Sequence, residues 1–149
     1  MKRWQSRLLG LAGVLGGGIG LFLCVVQLLA QPALLQTVLL AVFALLYAFA
    51  LWGGILAFEN APQAVALNRW LWFLQIPVIS SPWLSYLFVS GAELIVRVRP
   101  QQWAFDLTWL FGSRFDFTWN RPRTLEIGIN LLALAMFIWL SRLRRGGKR

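Results

Sequence analysis

The sequence predicts a mainly α-helical membrane protein. It should have three clear transmembrane helices, a short proline-broken fourth helical segment, and a small antiparallel β-meander, about residues 83–120, inserted before the last helix. Three observations carry this. Hydrophobic residues make up 59% of the 149 positions and charged residues 13%, against roughly 45 to 50% and about 25% in a soluble domain. No charged side chain occurs from Leu8 to Phe58, a run that soluble folds do not accommodate. From Trp83 onward the apolar period drops from helical to two. One integral membrane domain, 1–149, is expected.

The first span, 8–30, follows Lys2, Arg3 and Arg7. Its apolar run exceeds the roughly 7 to 15 residues of a signal-peptide core, so an uncleaved helix is expected. Cys24 lies inside it behind Phe22 and Leu23, which reads as a free buried thiol. The pairs Gly13/Gly17 and Gly16/Gly20 are GxxxG spacings. They suit close packing against the next helix, or against a membrane-protein partner or second copy. No Gly-Lys-Ser/Thr follows them, so a phosphate loop is excluded. Gln31-Pro32 is a tight connection into the second span, 33–58, where Ala41, Ala44, Ala48, Gly53 and Ala57 offer a matching small-residue face. The two spans should form an antiparallel hairpin.

Pro62 opens the short fourth segment, 62–80, which holds Asn68, Arg69, Trp70, Trp72 and Gln75 before Pro77. That is an interface composition, suited to a short tilted span or a surface helix. A continuous helix over 70–92 is the alternative, and it would carry Pro77, Pro82 and Gly91 in its body. In the β-insert, turn signals fall at Ser90-Gly91, Pro100-Gln101 and Gly112-Ser113. Phe105–Trp109 and Phe115–Trp119 repeat one pattern, read as a hairpin that places Trp109 beside Phe117. Across the Pro100 turn, Val98 should face Trp103. The last span, 124–141, has Glu126 at its start and Asn130 within.

Charge is concentrated at the ends. Lys2, Arg3 and Arg7, with Arg142, Arg144, Arg145, Lys148 and Arg149, supply eight of the net nine positive charges. These basic termini should meet anionic lipid headgroups and hold both ends in the cytoplasm, at the inner membrane in a bacterial cell. Two cytoplasmic ends require an even number of crossings, so 62–82 should cross and the strands should lie outside. The remaining charges balance too closely to build a nucleic-acid-binding face.

Reactive groups are scarce. The chain has no histidine and one cysteine, which excludes Ser/His and Cys/His catalysis and His/Cys metal centres. The two lysines lie in the tails. Glu59, Glu93, Asp106, Asp116 and Glu126 are the only carboxylates, and the expected register holds the aspartates about 14 Å apart, beyond the roughly 5 to 9.5 Å of glycosidase pairs. The reading is therefore a non-catalytic accessory or assembly component of the membrane, not an enzyme, with no cofactor and no metal. The alternative is a small lipid-binding or transport protein. It would use the aromatic face of Trp103, Phe105, Trp109, Phe111, Phe115, Phe117 and Trp119, or Glu93, which with Arg97 and Asn130 makes up the candidate intramembrane or interface polar groups.

Overall fold

The computed structural model describes residues 2–119 and 123–146, with side chains described as far as Leu143. Helices α1 (Arg3–Leu29) and α2 (Leu34–Phe58) run antiparallel across a turn at Gln31, and both are long and apolar enough to cross a membrane. The glycine seam is filled within the chain. A Cβ at Gly13 would stand 2.8 Å from Gly54 Cα, and one at Gly17 would stand 2.5 Å from Leu51 N. Ser6 Oγ closes the far end of the hairpin by donating to the Ala57 carbonyl.

Only these two helices are candidate spans among the described residues, not three. The segment expected as the last span divides into strand β4 (Glu126–Asn130) and helix α4 (Leu131–Gly146). The short fourth segment likewise divides into α3 (Ala64–Leu74) and β1 (Pro77–Ser80). Apolar periodicity fails here because a run that is apolar on every face reads the same as helix or strand. Pro77 lacks the N–H that a continuing helix would use. Ile127 and Ile129 carry the β-branching that suits a strand.

The β-insert is also simpler than a meander. Strands β2 (Leu84–Arg99) and β3 (Ala104–Trp119) form one 16-residue hairpin in unbroken antiparallel register. The Pro100 turn is where the sequence places it, but Val98 faces Phe105 rather than Trp103, and Trp109 faces Leu94 rather than Phe117. The expected turns at Gly91 and Gly112 are absent. The two glycines oppose one another in mid-hairpin, with φ of 101° and 136°. Only glycine adopts such values freely, and the pair lets both strands bend at one level.

That bend doubles β2 back on itself. Tyr86 pairs with Ile79, Ile79 with Ile127, and Ile127 with Val98, so residues twelve apart on β2 lie on one level of a curled sheet ordered β1-β4-β2-β3. Following the register around this level gives Phe117, Tyr86, Ile79, Ile127, Val98 and Phe105, all on the outer face. Two residues further toward the bend the outer set is Phe115, Phe88, Pro77, Ile129, Val96 and Leu107. The alternating inner face carries Ser80, Ser85, Arg97, Arg99, Asp106, Asp116 and Glu126, with a small apolar plug of Val78, Leu87, Val89 and Ile95. The sheet is thus apolar outside and polar within.

The helices hold one side of this curl. Phe43 stacks on Phe115 with ring centroids 4.8 Å apart, and Tyr47 packs on Phe88 while its hydroxyl donates to the Val89 carbonyl at 3.1 Å. The bend itself docks on α1, where Ser113 Oγ donates to the Gly16 carbonyl. Asn68 Nδ2 donates to the Gly53 carbonyl at 2.8 Å and fixes α3 to α2. Helix α4 packs on α3, with Phe137 against Phe73.

Candidate functional site

Strand alternation gathers nearly all of the acidic side chains into the sheet's interior. Arg114 donates to Glu93 at 2.8 Å, Arg99 donates to Glu126 at 2.8 Å, Arg97 stands 3.6 Å from Asp106, and Arg123 pairs with Asp116. Each arginine has one carboxylate partner, so the cluster is neutral as a whole. Ser80, Ser85, Arg97, Arg114, Asp116, Arg123 and Glu126 line a cavity of about 220 Å³.

Glu93 differs from the other acids. Its side chain is fully buried, and Oε2 has no hydrogen-bond partner. Burial pushes its carboxyl above the ordinary range, while the guanidinium groups of Arg114 and Arg97 pull it back. In the extended β2, Glu93 lies on the polar face of the sheet and pairs with Arg114 rather than with Arg97. Arg97 turns to Asp106 and donates to Thr108 Oγ1 at 3.1 Å.

No known protein family, curated protein or solved structure matches the chain.

Asn130 sits at the junction of β4 and α4. Its Oδ1 accepts from the Ala133 N–H, capping the helix start, and from the Leu94 N–H, both at 3.2 Å. This is a joint between strand and helix. The aromatic residues divide into two sets because β3 bends. Phe115 and Phe117 are half-buried against α2, whereas Trp103, Phe105, Trp109, Phe111 and Trp119 are exposed.

Sequence reasoning missed Arg114 and Arg123 as members of the charged cluster, and Tyr47 and Gln75 as the groups that fasten β2. Gln75 Oε1 accepts from the Ser90 N–H at 2.8 Å beside the bend. Arg114 was findable, since it shares strand parity with Asp106, Thr108 and Asp116. Assigning a turn at Gly112 interrupts that parity and hides it.

A second cavity, of about 410 Å³, lies between β3 and the turn of the helical hairpin. Gln27, Pro32, Gln36, Phe43, Asp116 and Phe117 contribute to its walls. Among the described residues no three His, Cys, Asp or Glu side chains gather to hold a metal ion. The paired arginines and carboxylates offer hydrogen bonds and a fixed field. Two hydroxyls join them: Ser85 Oγ donates to Asp116 at 3.0 Å and accepts from Arg123, and Thr108 Oγ1 donates to Asp106 at 3.3 Å.

Proposed function

We propose that the chain is a non-catalytic component of a membrane, anchored by α1 and α2, that works through binding or assembly rather than turnover. The carrying observation is the outward side of the helical hairpin. Leu15, Phe22, Leu34, Leu45 and Trp52 are each more than half exposed, and burying such surfaces is the dominant favourable term in water. A soluble core helix would turn these residues inward. Lys2, Arg3 and Arg7 place the N-terminus in the cytoplasm by the positive-inside rule, with the α1–α2 turn on the opposite side. The neutral charged cluster fits the same reading. Its Glu93–Arg114 pair joins the two limbs of the bent hairpin, its Arg99–Glu126 pair joins β2 to β4, and it contributes shape rather than chemistry.

A stoichiometric protein partner retained after gentle detergent extraction is the expected result of affinity purification. The second reading, a lipid-binding protein, is favoured by the cavity at the helical turn, whose aromatic walls and polar rim suit an amphiphile. Retained lipid without protein would support it. An enzymatic turnover abolished by Asp116→Asn with the fold intact would overturn both.

A further inference from the structure

The sheet has the wrong sidedness for water. An antiparallel sheet in a soluble protein turns its apolar face to the core and its polar face to solvent. Here every charged residue of the strands points inward. On the outer face, Ile79, Ile127, Ile129, Phe105, Leu107 and Trp109 are between 36% and 75% exposed. Alternation of apolar outside with polar inside is the pattern of strands that face lipid.

Resting on the membrane reading above, we propose that this uncovered arc of the curled sheet is immersed in the bilayer beside α1 and α2, with lipid acyl chains as its occupant. The sheet enters from the side of the α1–α2 turn and does not cross. Two further observations carry the placement. The bend docks at Gly16, the midpoint of α1. A helix of 27 residues is about 40 Å long, so in a spanning α1 the bend lies near the bilayer centre. At the sheet's open end stand Trp83 beside the Leu84–Trp119 pair, Trp119 itself, and Trp103 beside the Arg99–Ala104 pair. These three tryptophans are 66% to 86% exposed. Three tryptophans on one rim form the aromatic belt that marks a lipid–water boundary.

The charges are compatible with this placement because each is paired on the inner face. Lipid would not satisfy an open sheet edge. Strand β3 is the edge on both limbs of the curl, so its unpaired backbone groups border the open side. There Asp106, Arg114, Asp116 and Arg123 leave 32% to 42% of their side-chain surface uncovered by protein.

The test replaces Cys24 with serine and places single cysteines at Leu107, Ile129, Thr108 and Leu45, each labelled with an environment-sensitive fluorophore. The full chain is reconstituted in phosphatidylcholine vesicles with and without bromine on the acyl chains. Labels on Leu107→Cys and Ile129→Cys are expected to lose most of their emission to brominated lipid and to resist aqueous iodide. The inward Thr108→Cys label should behave in the reverse manner. Quenching of the Leu107 and Ile129 labels by iodide alone would overturn the proposal. So would protection from both quenchers with copy-to-copy cross-linking at Leu107→Cys, which would assign the face to a second copy. Leu45, exposed on α2, separates the two failures. An unquenched Leu45→Cys label defeats the membrane reading itself, whereas a quenched one with unquenched sheet labels defeats only the immersion of the sheet.

Discussion

Gly16 and Gly18 lie two residues apart on α1 in opposite surroundings. A Cβ at Gly16 would collide with the backbone of Ser90 and Gly91, which cannot yield, while one at Gly18 meets nothing within 4 Å. Gly16→Ala should therefore cost about 1 to 3 kcal/mol through overpacking, and Gly18→Ala should gain about 0.5 to 1 kcal/mol of helix propensity. Thermal unfolding in detergent separates the two.

The Glu93–Arg114 pair is asymmetric in the same way. Arg114 is 38% exposed along the open side of the curl and has room to move, whereas the Glu93 carboxylate is fully enclosed. Arg114→Met leaves a buried charge and should cost about 3 to 5 kcal/mol near neutral pH, while Glu93→Gln, which keeps a hydrogen-bonding group, should cost under about 1 kcal/mol. The cost of Arg114→Met should also depend on pH. Burial raises the folded-state affinity of Glu93 for a proton, so the penalty is smallest below the ordinary carboxylate range and grows as pH rises through the raised folded value. Unfolding midpoints of both variants across that range check the sign.

At the scale of elements, the bent hairpin has one face in two environments. Phe88 is fully buried against Tyr47, and Trp109, on the same face beyond the bend, is 67% exposed. Phe88→Ala should cost about 3 to 5 kcal/mol as a core truncation. Trp109→Ala should cost under about 1 kcal/mol in detergent, where that surface is covered by the micelle in either case. Equal losses would mean that the two limbs of the bent hairpin share one packed core.

The hairpin of α1 and α2 and the period-two insert were legible because their patterns are local, in an uncharged run and in strict alternation. The doubling of β2 was not. It depends on Gly91 and Gly112 meeting across the hairpin, and either glycine taken alone reads as a turn. The segments around Pro77 and Ile127 were illegible for another reason. Their strand character comes from pairing with each other, over about fifty positions of sequence. The charged cluster was half visible. Glu93 and Arg97 stood out as charges within an apolar run, but their true partners, Arg114 and Asp106, required the register.

For the whole molecule, the described surface is apolar along the outward side of the helical hairpin and along the sheet's uncovered arc, while polar groups gather in the curl and at the helix ends, as Gln31, Glu59, Asn60 and Gln63 do. That distribution is the central claim, because the proposed membrane role and the lipid-facing sheet both depend on it. Alkaline carbonate extraction of membranes from cells making the full chain tests it most directly. The protein is expected to stay in the membrane pellet and to leave it only with detergent. Release of folded protein into the carbonate supernatant would contradict the account.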